Sequence, residues 1–276
     1  MSGTLYLVPT PIGNLGDISR RIADTLEQAD FIAAEDTRVT LKLLNHLGIK
    51  KPMVSYYRHN TAAGGEAVLR RLLSGESCAL VTDAGTPAIS DPGEELVAEC
   101  VARSIPVVSI PGPCALITAL AASGLPTDRF TFEGFLPMNK KNRRERLSEL
   151  RGEGRTMLFY EAHHKLCATL ADLSETFGSD RRIAVCRELT KLHEEILRTT
   201  LDQAAAHYAQ NPPKGEFVLV VEGCQAEKTE SVTLEDGVRR VLALREEGLS
   251  LKDATRQAAA ETGLPKNELY QLVLKG

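Results

Sequence analysis

The chain has 276 residues, with 33 Lys plus Arg against 37 Asp plus Glu, for a formal net charge of −4. At 43% hydrophobic and 25% charged it can bury a sizeable core, which argues against disorder, and its length predicts about two domains. The slightly acidic balance excludes a wholesale cationic coat for nucleic acid but leaves room for a local basic patch. In chain order, Thr4–Val8, Phe31–Ala34, Met53–Tyr56, Cys78–Thr82 and Val107–Ile110 read as strands, being short, apolar or β-branched and bounded by turn residues. Between them Ile22/Leu26, Leu43/Leu44/Leu47 and Val68/Leu69/Leu72/Leu73 recur at helical spacing, and Gly48 and Gly75 stand where left-handed caps belong. This alternation predicts an α/β fold with a mainly parallel N-terminal sheet.

After the apolar helix Ala115–Ser123 the composition shifts. Thr131–Leu136 resembles a strand, and residues 140–155 read KKNRRERLSELRGEGR, with seven basic and three acidic side chains. A second α/β block follows, with strands at Thr156–Tyr160, Ile183–Arg187, Glu194–Arg198 and Phe217–Val221 and a helix from about Lys165 to Phe177. Glu194–Arg198 follows Arg187 too closely for a helical crossover, so this sheet is expected to be mixed. From about Thr233 the pattern is wholly helical: Ser250-Leu-Lys-Asp253 resembles a capping box, Gly263 ends that helix, and Pro265 opens another with Leu269, Leu272 and Val273 on one face. The expected domains are 1–117, 118–230 and a small helical module over 231–276.

Six cysteines, Cys78, Cys100, Cys114, Cys167, Cys186 and Cys224, lie far apart in apolar stretches without a CxxC pair. They fit free thiols in a reducing compartment, with no metal site. No run approaches the ~18 apolar residues of a membrane span. A cytoplasmic protein that does not enter the membrane is expected.

In an open α/β sheet, ligands bind beyond the carboxyl ends of the strands, and the unusual residues of this chain collect there: VPTPIGN, AEDTR, TDAGTPAISDPG and PGPCALITAL. A dinucleotide site is disfavoured because the first loop is PTPIGN and not GxGxxG, and Pro9 and Pro11 lack two N–H groups a phosphate would need. There is no GxxxxGK[ST] for a nucleoside triphosphate.

The ordered blocks VPTPIGNLGDIS, AAEDTRVTLKLLNHLGI, VTDAGTPAISDPG, PGPCALITALAASGLPTDRFTFEGFLP, FYEAHHKL, RELTKLHEE and GEFVLVVEG resemble the ribosomal RNA small subunit methyltransferase I family, within the tetrapyrrole-methylase superfamily. The resemblance covers nearly the whole chain, including a helix-turn-helix-like tail. It implies a two-domain enzyme that binds S-adenosylmethionine in the cleft between domains. It also implies 2′-O-methylation of a cytidine in the decoding region of 16S ribosomal RNA, in the small ribosomal subunit, by a homodimer. By the same resemblance Asp83, Thr86, Pro87 and Ile89 line the methionine end of the donor, and Ile12 lies near it. Ala115 and Leu116 open the helix that flanks the adenosine, while Glu188, Leu189, Glu222 and Gly223 close over the adenine.

Polar residues on facing loops, Glu35, Asp36, Arg38 and Lys191, are the catalytic candidates, with His59 a weaker one on the substrate side. Each has a plainer reading: Gly85, Pro87, Pro92 and Gly93 as turn formers, Asp36 or Thr37 as a helix cap beside an ion pair, Lys191 as a solvated charge. Lys140, Lys141, Arg143, Arg144 and Arg146 form either a solvated helix face or, the favoured reading, a contact for the RNA backbone. The tail between Leu234 and Gly276 carries seven acidic and seven basic residues and no net electrostatic footprint. The rival functions are methylation of a corrinoid or porphyrin, against which the basic segment and helical tail weigh, and a non-catalytic RNA-binding module.

Overall fold

Five short apolar segments, β1 (Leu5–Leu7), β2 (Phe31–Ala34), β3 (Met53–Ser55), β4 (Cys78–Val81) and β5 (Val107–Ser109), form a parallel sheet in the order β3-β2-β4-β1-β5. This architecture comes from a computed structural model, which describes residues 2–58, 60–225 and 233–275. The connections between these strands are α1 (Arg20–Gln28), α2 (Thr37–Leu47), α3 (Thr61–Leu73) and α4 (Glu94–Ala102). Both faces of the sheet are covered. Leu5, Phe31, Ala33 and Leu80 pack with Val68, Leu72 and Leu96 on one side. Ile32, Ala34, Ala79 and Val81 pack with Ile22, Leu26 and Leu44 on the other. That double burial is why the central strands β2 and β4 are apolar at every position instead of alternating. Gly48 closes α2 in the left-handed conformation expected of it, at φ 71°.

The second sheet holds β6 (Phe130–Phe135), β7 (Thr156–Ala162), β8 (Arg182–Arg187), β9 (Glu195–Thr200) and β10 (Glu216–Val221), in the order β6-β7-β10-β8-β9. β6 and β7 are parallel; β10 is antiparallel to β7 and β8, and β9 to β8. The sheet is therefore mixed, as the short link after Arg187 requires. The helices α6 (Lys140–Glu149), α7 (Leu166–Phe177) and α8 (Leu201–Gln210) complete this half.

One helix ties the two sheets together. α5 (Ala115–Ser123) leaves β5 of the first sheet but buries Leu116, Ala119 and Leu120 against Leu158, Ala184, Val218 and Val220 of the second. Its terminal carbonyls are also satisfied from the second sheet. Arg198 donates to the Ala122 carbonyl and Arg182 to that of Gly124, placing cations at the negative end of the helix. Residues 117 and 118, at the expected boundary between the first two domains, both lie inside this helix. By compactness the chain forms a unit Met1–Cys224, which contains both sheets, and a unit Gln225–Gly276.

The second unit is three helices, α9 (Leu234–Glu246), α10 (Leu251–Thr262) and α11 (Lys266–Lys275), around Val241, Leu244, Ala254, Ala258 and Leu269. Thr233 and Asp236 make a full capping box; at α10 the Asp253 amide donates to the Ser250 hydroxyl at 3.2 Å and that hydroxyl to the Asp253 carboxylate at 2.6 Å. Among the described residues no helix is long and apolar enough to cross a membrane.

Candidate functional site

The carboxyl ends of the first-sheet strands face one edge of the second sheet across a cavity of about 400 Å³, within the usual size for a small-molecule site. From the first sheet come Ile12, Glu35, the loop after β4, Cys114 and Ala115; from the second come Phe135, Tyr160, Glu161, Glu188, Leu189, Lys191 and the start of β10. The loops are pinned to one another. Thr10 and Gly85 exchange backbone hydrogen bonds at 2.9 and 3.0 Å. The Thr10 hydroxyl donates to the Thr82 carbonyl at 2.9 Å and the Thr86 hydroxyl to the Pro113 carbonyl at 3.0 Å.

The first-sheet wall is acidic. The Thr82 hydroxyl donates to Glu35 Oε2 at 2.6 Å and the Asp83 amide to the same oxygen at 3.3 Å, while the Asp36 amide donates to Asp83 Oδ1 at 3.1 Å. Burial, with the neighbouring Glu35 charge, pushes the Asp83 carboxyl above the usual carboxylate range. The same two causes push Asp91 up to about 6. The facing wall carries a cation: Lys191 Nζ donates to Glu188 Oε1 at 2.8 Å and to Glu216 Oε2 at 2.9 Å. Burial pulls the Lys191 ammonium down, but these two carboxylates outweigh it and hold the amine above its ordinary value. Lys191 is thus a fixed positive charge at neutral pH and not a base. Gly13 lies against its stem at φ +149°, where a Cβ would overlap the lysine side chain.

Backbone strain gathers at the same place. Among the described residues five non-glycines have positive φ, and four of them, Ala88, Ser90, Glu188 and Thr190, are in the two loops that border the cavity.

Of the residues expected around the donor, Ile12, Asp83, Thr86, Ile89, Ala115, Glu188 and Leu189 line the cavity. Pro87 is buried beneath its loop, and Leu116 belongs to the apolar seam between α5 and the second sheet. Glu222 and Gly223 are elsewhere: Glu222 accepts from Arg182 at 3.3 Å, and Gly223 lies close against Gly154. The reason is topological, since β10 runs antiparallel to β7 and β8, so its start (Glu216–Val218) faces the cavity and its end points away.

Among the catalytic candidates, Glu35 and Lys191 line the cavity. Asp36 and Arg38 do not: Asp36 caps α2 and pairs with the Arg38 guanidinium at 2.6 Å, a hydrogen-bonded partner that holds the Asp36 carboxyl down at about 2. His59 lies outside the described residues.

The basic segment forms α6, and its arginines are engaged. Arg143 (side chain 12% exposed) pairs with Asp172 (6%) at 2.6 Å. Arg144 reaches Asp172 and Glu175, and Arg146 reaches Glu133 and Glu149. Lys140 has no partner among the described residues, and Lys141 lies only at 3.8 Å from Glu145; both are exposed.

Sequence reasoning passed over Asp91, Phe135 and Tyr160, all of which line the cavity. Asp91 stands in ISDPG, where an acid before Pro-Gly reads as a turn former, and nothing local reveals that Glu35 is brought beside it. Among the described residues no cluster of three or more His, Cys, Asp or Glu has a metal-holding arrangement.

Residues 4–205 match the family Tetrapyrrole (Corrin/Porphyrin) Methylases, and residues 232–276 match the RsmI C-terminal HTH domain. A protein of Synechocystis sp. named Ribosomal RNA small subunit methyltransferase I is 50% identical over 273 residues, 99% of this chain and 98% of its own length. One of the same name from Xylella fastidiosa is 48% identical over 270 residues, covering 97% and 98%. The crystal structure of uroporphyrin-III C-methyltransferase from Thermus thermophilus complexed with S-adenyl homocysteine shares the fold at a TM-score of 0.53 and 17% identity, over 80% of this chain and 97% of that one.

The environment of Asp91 generates a stability prediction. Its folded pKa lies above the value of about 3.8 it has when unfolded, so the folded state holds the extra proton and ionisation opposes folding as pH rises through about 6. Asp91→Asn should therefore raise the melting temperature at pH 7.5 by roughly 2–4 °C. The gain should shrink to nothing below pH 4, in paired thermal melts of the variant and wild type.

Proposed function

The chain belongs to the tetrapyrrole (corrin/porphyrin) methylases, in the branch named ribosomal RNA small subunit methyltransferase I, and from that premise we propose a reaction. It transfers a methyl group from S-adenosylmethionine to the ribose 2′-hydroxyl of a cytidine, position 1402 of 16S ribosomal RNA, in the small ribosomal subunit. The observation that carries the donor assignment is the acidic wall. Glu35, Asp83 and Asp91 crowd one side of a mostly apolar cavity, two of them pushed toward the protonated form by burial and by neighbouring carboxylates. A ligand bearing a sulfonium and an ammonium relieves that repulsion, whereas an anionic cofactor would add to it. Ile12, Ile89 and Leu189 supply apolar walls for the uncharged part of such a ligand.

The bound donor supplies an electrophilic methyl carbon, and no metal is needed for its displacement. What the protein adds is position, the largest contribution available to an in-line transfer. The Thr86 hydroxyl, anchored on the Pro113 carbonyl, fixes the loop after β4 against the loop after β5. Asp91, whose carboxyl ionises near pH 6, is matched to accept the proton of a ribose hydroxyl at neutral pH, a role contributing about 10²–10⁴-fold where it operates. Glu35 and Asp83 hold positive charge beside it. Lys191, kept cationic by Glu188 and Glu216, orients oxygen atoms of the RNA backbone. Asp36 and Arg38 act on this reaction only by capping α2 behind Glu35. We place the reaction in the cytoplasm, on the ribosomal particle, with the enzyme as a homodimer.

Three measurements test this reading. Small-subunit particles from a strain lacking the enzyme, incubated with purified protein and methyl-labelled S-adenosylmethionine, should acquire label in a single 2′-O-methylcytidine. Label in no ribosomal nucleotide, with transfer to a corrinoid or porphyrin instead, would overturn it. In the donor pocket, Thr86→Arg should abolish S-adenosylmethionine binding in calorimetry, and normal affinity in the folded variant would remove the donor from this cavity. For the RNA, Lys140 and Lys141 are the side chains to change, because Arg143, Arg144 and Arg146 hold α6 in place. Replacing both lysines with Gln should flatten the slope of log affinity for the particle against log salt by roughly 0.7–0.9 per lost phosphate contact, with donor affinity unchanged. An unaltered slope would show α6 to be a solvated face.

A further inference from the structure

We propose that Phe135 is the stacking platform for the nucleobase of the nucleotide being methylated. The inference rests on the RNA-methylation reading above and gives that reading a base-binding subsite. Phe135 ends β6 and lines the cavity, yet it is 56% exposed, an apolar ring left in water at the mouth of the site.

Its orientation is built by the chain. In β6 paired with β7, Phe132 stands opposite Leu158 and Gly134 opposite Phe159, so Glu133 has no counterpart. This is a β-bulge, uncommon in a parallel pair, with Gly134 at φ +64°. In a regular strand Phe132 and Phe135, three positions apart, would point to opposite faces. The extra residue puts them on the same face, where both rings meet Tyr160 edge-on, with centroids 4.9 Å and 5.6 Å away. The Tyr160 ring is in turn held among the side chains between the second sheet and α5. The bulge therefore re-aims Phe135 toward the cavity, and the partly buried Tyr160 ring, itself packed against Phe132, holds it there. Glu133, the displaced residue, is fixed by Arg146 at 2.6 Å.

The surroundings favour a nucleotide over an apolar partner. Gly134 lies against Ser90 of the strained loop after β4, and Arg58 reaches the Ser90 carbonyl at 3.5 Å. Five residues beyond Phe135, Lys140 and Lys141 open α6 with exposed ammonium groups. An exposed ring supported by an aromatic neighbour, with exposed lysines five and six residues on along the chain, is the combination that takes an unstacked base on its face and a phosphate beside it. Met138, 78% exposed, extends the apolar rim without closing it. A base drawn out of the RNA onto this ring would place its ribose at the cavity mouth, toward Asp91.

The chain contains no tryptophan, so Phe135→Trp introduces a unique reporter. Supplied as 5-hydroxytryptophan, it is excited to the red of the tryptophans in ribosomal proteins. Its emission should be quenched when small-subunit particles from a strain lacking the enzyme are added, and should not change with S-adenosylmethionine alone. In methylation assays Phe135→Trp and Phe135→Tyr should stay within about threefold of wild type, while Phe135→Ala and Phe135→Leu should lose roughly 10–100-fold in kcat/KM. Donor affinity should be equal in all four. Leu retaining full activity would overturn the proposal, showing that only apolar bulk is needed. Quenching by the donor alone would assign the ring to the donor's adenine, and binding without quenching would also overturn it. If wild-type enzyme transferred no methyl group to particles, the functional reading itself would fall and the subsite with it. An active wild type with an indifferent Phe135 series would fell the subsite alone.

Discussion

The geometry of the site depends on the burial of α5. The first sheet has both faces covered by its own helices, whereas α6, α7 and α8 cover only one face of the second. α5 covers the other: it is rich in apolar side chains, and it hangs from the first sheet by the Pro-Gly-Pro turn after β5. It can bury Leu116, Ala119 and Leu120 only against the second sheet. Each large side chain so buried contributes about 1.5–3 kcal/mol. Arg182 and Arg198 of the second sheet then close its C-terminus. The start of the same helix, with Cys114 and Ala115, is part of the cavity wall, so the interaction joining the halves also sets the width of the cleft.

The cleft in turn holds features that a folded chain would otherwise avoid. Positive φ at Ala88, Ser90, Glu188 and Thr190 costs on the order of 1–3 kcal/mol each. Two carboxyls are pushed toward the protonated form by burial and by a third. The restraints that keep these features in place are specific: the Thr10–Gly85 bridge, the Thr86–Pro113 bond, and the Lys191 ammonium between Glu188 and Glu216. Unfavourable charge and strain concentrated between well-packed sheets mark where ligand binding and not stability shaped the structure.

The basic helix shows why charge counts mislead. Residues 140–146 form a run of five cations with one acid inside it. Three of those cations are used within the protein, because α7 places Asp172 and Glu175 beside them and the β6 bulge places Glu133 there. Removing Asp172 would leave the Arg143 guanidinium buried without its partner, an error costing about 3–5 kcal/mol. Lys140 and Lys141, at the exposed start of the helix, are what remains for a polyanion.

The sequence determined by itself everything that depends on local pattern. The strands of both sheets, the mixed second sheet, the capped helices of the tail and the loops that gather the unusual residues follow from apolar periodicity, turn residues and connection length. Those properties are set by neighbours within a few positions. Tertiary structure alone decided which end of each strand meets which. It turned Glu222 and Gly223 away from the cavity because β10 runs antiparallel to its neighbours, and it brought Glu35 beside Asp91 from another strand. It assigned Arg143 to Asp172, and through one unpaired residue, Glu133, it aimed Phe135 at the site. These are contacts between residues far apart in the chain, and their energies of burial, pairing and strain exist only once each half has folded.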